Sequence, residues 1–178
     1  MTPELGQIAL ILALLLSLAQ SVLPLIGAWR GNTALMDIAR PAAVGQAVVV
    51  WVAFGLLAWS LLSLDFSVGY VAANANIALP WYYRFAAVWG AHEGSLLLWI
   101  AILATWTVLL AAFSRHLPQH FAARVLAVRG LISVGFLAFI LLPPNPSARL
   151  PPIPLEGNEL NPVLQDPGMT FHPPVLYT

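Results

Sequence analysis

The chain has 178 residues, of which 60% are hydrophobic and only 8% are charged. A water-soluble domain usually has about a quarter of its residues charged, so this composition excludes that class and predicts an integral membrane protein in a lipid bilayer. The formal net charge is zero, with seven basic residues that are all arginine. This balance excludes the basic surface by which proteins bind nucleic acid. The absence of cysteine excludes disulfides, zinc–thiolate sites and a cysteine nucleophile.

Four apolar stretches predict an all-α protein with four transmembrane helices. The first stretch is uncharged from Leu5 to Trp29, and its 25 residues can cross a hydrocarbon core of about 30 Å at about 1.5 Å per residue. The predicted helices cover approximately residues 5–29, 42–64, 92–114 and 125–142. The fourth is predicted to end before Pro143 and Pro144, because proline cannot continue a helix. Residues 1–142 are therefore predicted to form a four-helix transmembrane module.

Two segments outside the predicted helices have a different composition. Asp65 to Arg84 contains asparagines, Pro80 and an aromatic cluster, which favours an irregular loop lying against the membrane interface. Residues 143–178 contain ten of the fifteen prolines and show no helical or alternating apolar period. We predict that residues 143–178 form an extended, proline-rich segment outside the membrane.

The positions of the arginines predict the orientation in the membrane. The first loop carries Arg30 and Arg40, and the third loop carries Arg115 and Arg124, with Arg129 close by. Arginine-rich loops lie preferentially on the cytoplasmic side. The N-terminus, the stretch from Trp81 to Trp99 and the proline-rich segment are therefore predicted on the opposite, extracytoplasmic side.

The ionisable residues exclude several functions. No predicted helix places an acid, a lysine or a histidine near its middle, where ion-coupled transporters generally need such groups. The sequence contains no glycine-rich phosphate loop, no Gly-x-Ser-x-Gly elbow and no His-Glu-x-x-His zinc motif. Transport through these four helices, nucleotide-driven catalysis and hydrolysis are therefore not supported.

The aromatic stretch at the start of the third predicted helix admits two interpretations. Glu93 near a helix N-terminus is stabilised by the helix dipole, and glycines on either side of His92 and Glu93 allow close packing. In the functional interpretation, His92 and Glu93 line a polar site suited to a flat amphipathic ligand. The aromatic side chains above that site would be Trp81, Trp89 and Trp99. The residues alone favour packing and capping.

His172 differs from the other histidines because two prolines follow it. Pro173 and Pro174 remove two amide donors and favour an extended backbone, which leaves a presentable imidazole. A neutral imidazole is a good axial ligand for haem iron, although an ordinary surface histidine is the simpler interpretation. His116 and His120 are spaced i, i+4, but Pro118 lies between them and no acid accompanies them. We expect these two to be loop histidines.

Two long strings resemble the N-terminal part of the CcmF-type cytochrome c haem lyase family. They are WGAHEGSLLLW at 89–99 and LNPVLQDPGMTFHPPVLY at 160–177, and the likeness extends over nearly the whole chain. The resemblance implies a bacterial inner-membrane protein of cytochrome c biogenesis that receives haem b, as its substrate, from a periplasmic haem chaperone. It also implies attachment of that haem to the reduced Cys-x-x-Cys-His motif of apocytochrome c, together with other membrane subunits of the maturation system.

The resemblance also assigns a role to His172. In the family, two periplasmic histidines bind the incoming haem iron axially, and the first of them matches His172. No residue is assigned a catalytic role, and no metal is expected except iron held through haem. Trp89, His92, Glu93 and Trp99 are assigned at most a supporting position around the haem site.

The chain departs from the family in length. Family members are several times longer, and the tryptophan-rich haem loop, the second periplasmic histidine and two membrane histidines have no counterpart in residues 1–178. We therefore expect a fragment or one piece of a split gene, with lyase activity only as part of the complete protein. Two alternatives remain open, namely a non-catalytic haem- or quinone-binding membrane subunit and a structural membrane scaffold.

Overall fold

The computed structural model describes residues 1–142 and 145–178. Regular structure in this part of the chain is helical, with two 3-10 turns at Ala87–Trp89 and Pro162–Gln165. The α-helices are α1 (Thr2–Arg30), α2 (Thr33–Asp37), α3 (Ala39–Leu62), α4 (Gly69–Asn74), α5 (Trp81–Ala86), α6 (His92–Phe113), α7 (Gln119–Leu141) and α8 (Pro167–Tyr177). The predicted all-α class is confirmed.

Four helical segments of the described chain are long and apolar enough to cross a membrane. They are Thr2–Arg30, Thr33–Leu62, His92–Phe113 and Gln119–Leu141. This result confirms the predicted number of membrane-spanning helices. α7 begins six residues before the predicted residue 125, because a start chosen by apolar content passes over Arg124. The predicted stop at Pro143 and Pro144 lies outside the described residues.

The chain divides into two compact units. One unit, here called the motif unit, consists of Met1–Ile8, Val52–Trp99 and Ile140–Thr178 and contains both strings that resemble the haem lyase family. The other, here called the bundle unit, consists of Ala9–Trp51 and Ile100–Phe139. The two units use different kinds of contact.

Small residues allow close helix packing in the bundle unit. A Cβ added to Gly45 would lie 3.4 Å from a methyl carbon of Leu16, and one added to Gly130 would lie 3.1 Å from the Ser17 carbonyl oxygen. Buried alanines recur in its apolar clusters, for example around Leu126. Close approach of helix backbones at small residues is the usual way in which membrane helices gain packing energy.

The segment from Asp65 to Arg84, which was predicted as an irregular loop at the membrane interface, contains α4 and the first part of α5 in the motif unit. α4 and α5 have six residues each, so neither can cross a membrane. Arg84, in the last turn of α5, donates to the carbonyl oxygens of Leu79 at 2.6 Å and Ile77 at 2.9 Å. The guanidinium therefore ties α5 back to the segment that precedes it.

The segment after α7 is anchored within the motif unit near Arg149. Arg149 donates from Nε to Glu4 at 2.6 Å and from Nη1 to the Ser67 hydroxyl at 2.6 Å. Backbone bonds of 2.9 Å join Gly69 N to Ala148 O and Leu150 N to Ser67 O. This part of the proline-rich segment therefore lies against the loop that follows α3.

The last part of the proline-rich segment is not extended. His172 lies inside α8, so the prediction of an extended backbone after it was wrong. The helix begins because Asp166 Oδ1 accepts a hydrogen bond from Met169 N at 3.2 Å, and because Pro167 occupies a first-turn position where its missing N–H costs nothing. Pro173 and Pro174 lie near the other end, where few helical bonds remain to be lost.

Candidate functional site

The first string forms a tight turn built around the Tyr70 side chain. The chain passes from the 3-10 turn at Ala87–Trp89 into α6 within two residues. The Tyr70 hydroxyl lies 2.9 Å from Ala87 O and 3.0 Å from Val88 O, and it accepts from Ala91 N at 3.2 Å. Burial raises the pKa of this hydroxyl, and the nearby Glu93 carboxylate raises it further. Tyr70 therefore remains a protonated donor that closes the turn.

Gly94 is required by this turn. A Cβ at position 94 would overlap the Val88 carbonyl oxygen and the Tyr70 hydroxyl. The first turn of α6 therefore approaches the preceding backbone more closely than any side chain allows. The observed packing agrees with the interpretation of this glycine as a close-contact residue.

The second string is bonded to the first through Trp89. Trp89 is 8% exposed, and its Nε1 donates to the Thr170 carbonyl oxygen at 2.9 Å. In an uninterrupted helix that carbonyl would accept from the N–H of residue 174, but Pro174 has none. The indole of Trp89 thus supplies the donor that proline removes, and it joins α8 to the turn before α6.

Two further aromatic contacts hold the second string, one from α5 and one from the first string. The Tyr83 hydroxyl of α5 donates to the Gln165 carbonyl oxygen. Trp99 of α6 stacks on Tyr177 of α8, with ring centroids 5.8 Å apart and planes inclined by 17°. Offset stacking of this kind stabilises aromatic pairs beyond the area that they bury. α8 is therefore held at both of its ends.

An aromatic pocket of about 250 Å³ lies between α5 and α8. Its lining is almost entirely apolar, and Phe85 and Trp89 meet edge to face in it, with ring centroids 5.4 Å apart. The remaining aromatic side chains of the lining are Trp81, Tyr82, Tyr83 and Phe171. The pocket is suited to an apolar group rather than to a charged one.

His172 lies on α8 and is not itself a lining residue of this pocket. It is exposed, it follows the pocket residue Phe171, and its side chain makes no hydrogen bond to any residue that the structure describes. Helical side chains lean toward the preceding turn, and the residue one turn before His172 is Gly168. The imidazole is therefore open on the side where a larger residue would cover it, as an external ligand requires.

His92 and Glu93 do not join His172 in one site. His92 is exposed at the start of α6, and no hydrogen bond links its side chain to another residue in the described ranges. Glu93 is half-buried and lines a separate cavity with Tyr70 and Asn74. Of the four predicted supporting residues, the structure brings Trp89 and Trp99 into contact with α8.

Potential metal ligands do not cluster in the part of the chain that the structure describes. Within residues 1–142 and 145–178, no group of three or more His, Cys, Asp and Glu side chains could hold a metal ion. His116 and His120 are both exposed, with His120 in the first turn of α7. His172 therefore does not belong to such a group among the described residues.

Sequence reasoning missed Tyr70 and Thr170. Tyr70 stands 17 residues before Ala87, and no local pattern marks its hydroxyl as the group that closes the turn. The signal for Thr170 was present, because a proline four residues later leaves a helical carbonyl without its normal donor. An extended segment has no helical bond between residues 170 and 174, so the predicted extended backbone gave no reason to expect an unsatisfied carbonyl at Thr170.

Comparison with known proteins gives the chain a family. The sequence profile of the family described as cytochrome C assembly protein matches residues 89–178. The cytochrome c-type biogenesis protein CcmF of Pseudomonas aeruginosa is 61% identical over 99% of the chain, and that of Escherichia coli is 51% identical over 99%. The chain spans 27% and 28% of the length of these two relatives.

A solved structure agrees with the sequence comparison. The structure titled "Cytochrome c Heme Lyase CcmF" superposes with a TM-score of 0.86 and 29% sequence identity, covering 99% of this chain and 28% of that one. The family profile covers both strings, and the bond from the Trp89 indole to the Thr170 carbonyl oxygen joins them in the fold. The chain therefore belongs to the cytochrome c assembly protein family and corresponds to the N-terminal portion of its CcmF-type members.

Proposed function

We propose that this chain is the N-terminal part of a haem lyase of cytochrome c maturation, in which His172 binds the iron of periplasmic haem as one axial ligand. The observation that carries the proposal is the open imidazole on α8, a helix fixed by the bond from Trp89 to Thr170. Imidazole nitrogen is a common axial ligand of haem iron. Family membership supplies the context of cytochrome c assembly.

The proposed reaction joins haem b, as substrate, to the thiols of a reduced Cys-x-x-Cys-His motif in apocytochrome c. Each thiol adds across a vinyl group, so that sulfur bonds one vinyl carbon, the proton ends on the other, and no oxidant is consumed. This chain has no cysteine, so both thiols come from the apocytochrome. The contribution of His172 is orientation, because ligation of the iron fixes where the vinyl groups lie.

The aromatic pocket supports an apolar ligand beside His172. Phe171 lines the pocket and immediately precedes the proposed iron ligand, while Trp89 both lines the pocket and holds α8. A haem ring is flat and largely apolar, so aromatic side chains form a suitable surface beside it. In this proposal Trp89 and Trp99 position the ligand helix and do not react.

Location and partners follow from the same proposal. The chain lies in a bacterial inner membrane, with its N-terminus and residues 143–178 in the periplasm, as the arginines of the first and third loops favour. A haem chaperone delivers the haem, and other membrane subunits of cytochrome c maturation act with the protein. Since the chain spans 27% of its relative, the remaining ligands and the complete activity belong to parts outside residues 1–178.

The test replaces His172 in the complete protein, in cells with no other copy. We expect His172→Ala to abolish covalently haem-bound cytochrome c while the protein persists in the membrane, because the substitution removes the ligand and leaves α8 intact. Haem-stained cytochrome c and the amount of membrane protein are measured together. His116→Ala is the matched control, since it removes another exposed imidazole in the same chain.

Other outcomes would contradict the proposal. Unchanged cytochromes c in His172→Ala cells would make His172 a surface residue. A binding subunit without catalysis would retain haem absorbance through purification while its removal leaves cytochrome maturation unaffected. A quinone site would respond to changes at Trp89 and His92 and ignore His172.

A further inference from the structure

A second cavity of the motif unit lies apart from the aromatic pocket and shares no lining residue with it. Its volume is about 500 Å³, within the range of about 300–1,000 Å³ typical of ligand sites. One side is formed by α4, and the other by the start of α6 and the segment around Asn145. The residues that line it include Tyr70, Ala73, Asn74, Glu93, Leu141 and Asn145.

Among the polar groups of this cavity, acceptors of Asn74 and Glu93 have no partner among the described residues, while each asparagine amide uses one of its two N–H donors. Asn74 Nδ2 already donates to Tyr70 O at 2.9 Å, and Asn145 Nδ2 donates to Gln7 Oε1. The Tyr70 hydroxyl proton is directed at the carbonyl oxygens of the turn before α6. By contrast, Asn74 Oδ1 and both Glu93 oxygens accept no hydrogen bond from any described residue.

No arginine of the motif unit neutralises Glu93. The unit contains two arginines, and Arg84 is bonded to Leu79 and Ile77 while Arg149 pairs with Glu4 and Ser67. Glu93 lies in the first turn of α6, where the helix dipole favours its carboxylate form. A half-buried carboxylate beside an open cavity therefore lacks a counter-ion within its own unit.

We propose that this cavity receives the side chain of a lysine or arginine from a polypeptide segment outside residues 1–178, with Glu93 as counter-ion and Asn74 Oδ1 as a second acceptor. The apolar wall at Ala73 and Leu141 suits the aliphatic stem of such a side chain, and the acceptors suit its charged head. The segment belongs either to the remainder of the same protein or to a partner subunit in the same membrane. This inference does not depend on the haem role of His172.

The test places a photoreactive p-benzoylphenylalanine at position 73 of the complete protein in native membranes. Ala73 lines the cavity and is exposed, so the larger side chain can be accommodated. We expect one major crosslinked peptide that contains lysine or arginine. A crosslink within the protein identifies the source as its own remainder, and a crosslink between chains identifies a partner subunit.

Two substitutions make the result specific to the carboxylate. Glu93→Gln should lower the crosslinked fraction about tenfold, because a charge-assisted hydrogen bond is lost. Glu159→Gln is the control, since it removes an exposed acid of the same unit that does not line the cavity. Replacing the captured cation by glutamate should lower the crosslink as well, and adding Glu93→Lys should restore it.

Three results would overturn the proposal. They are a crosslink that does not depend on Glu93, a crosslinked peptide without lysine or arginine, and adducts with lipid alone. If the change at position 73 prevents accumulation of the protein, the same probe at Leu141 reports on the opposite wall of the cavity. Intact cytochrome c maturation in Glu93→Gln cells would leave the haem proposal standing, so the two proposals can fail separately.

Discussion

The buried polar side chains of the two units differ mainly in the backbone that they satisfy, which is a turn and a proline-interrupted helix in the motif unit and regular helices in the bundle unit. In the motif unit, the Tyr70 hydroxyl and the Trp89 indole satisfy backbone groups that are 17 to 81 residues away in sequence. In the bundle unit, Ser17 and Thr107 bond only to carbonyl oxygens of their own helices. Gln46 is fully buried there, and neither atom of its amide has a partner among the described residues.

The difference follows from regular and irregular backbone. A long helix satisfies its own peptide groups, so its side chains need only pack closely. A tight turn and a helix interrupted by proline leave N–H and C=O groups that other side chains must satisfy. The Tyr70 hydroxyl and the Trp89 indole of the motif unit therefore hold the fold, beyond any role toward a ligand. Substitutions in the two units should have correspondingly different effects.

The largest effect is expected for Gly94→Ala. Its methyl group would overlap the Val88 carbonyl oxygen and the Tyr70 hydroxyl, and the backbone atom cannot move without opening the turn. We expect a loss of about 3 kcal/mol or more, and little protein in the membrane. Quantitative blotting of membranes measures the amount of protein. Gly55→Ala is the control, because a Cβ at position 55 would meet nothing within 4 Å, and this variant should accumulate normally. Equal loss of both variants would contradict a specific steric requirement for glycine at position 94.

Tyr70→Phe should have the next largest effect. The substitution keeps the ring but leaves Ala91 N without its acceptor and removes the hydroxyl donor near Val88 O, while Ala87 O keeps its bond from Gly90 N; the cost is about 1–3 kcal/mol. The midpoint of thermal unfolding of the purified complete protein should fall. Tyr82→Phe, which removes the hydroxyl of an exposed tyrosine, should leave the midpoint unchanged. Equal midpoints for wild type and Tyr70→Phe would show that the hydroxyl does not hold the turn.

Trp89→Phe should produce a smaller, local effect. It removes the donor to Thr170 O and keeps most of the aromatic surface. We expect the amides of α8 to exchange with solvent about tenfold faster, while those of α6 and α7 keep their protection. Hydrogen exchange followed by mass spectrometry measures both. Trp59→Phe is the control, because Trp59 is 64% exposed on α3, and a loss of protection spread over all helices would contradict a local role.

Gln46→Leu in the bundle unit should have the smallest effect. Removing an unpaired buried amide costs no hydrogen bond, so stability should be unchanged or raised by up to about 1 kcal/mol. Gln20→Leu should be destabilising, because Gln20 Nε2 donates to Leu126 O at 2.8 Å. The midpoint of thermal unfolding is measured for Gln46→Leu and for Gln20→Leu. A marked loss in Gln46→Leu would show that this amide binds something, and the contrast between the units would fail.

The sequence predicted the bundle unit better than the motif unit for a physical reason. A run of uncharged residues such as Leu5 to Trp29 must form a helix in the bilayer, because no other backbone arrangement satisfies its peptide groups there. The predicted helix at 5–29 therefore agrees closely with α1 at Thr2–Arg30. Hydropathy carries no comparable constraint on the turn around Tyr70.

The proline-rich segment shows where local rules fail. Pro173 and Pro174 suggested an extended backbone, yet the cap at Asp166 and the bond from Trp89 stabilise a helix that contains both prolines. The likeness of the two strings to the haem lyase family identified their importance, but not that Trp89 and Thr170 are bonded. Contacts over 81 residues cannot be read from one sequence.

The bond from Trp89 to Thr170 also constrains the order of events during biosynthesis. The donor precedes the acceptor by 81 residues, so at about 5–20 residues per second it leaves the ribosome roughly 4 to 16 s earlier. The turn around Tyr70 can thus be complete before α8 exists. A nascent helix that cannot bond its own Thr170 carbonyl then meets a preformed donor, and capture by Trp89 becomes a late step of assembly.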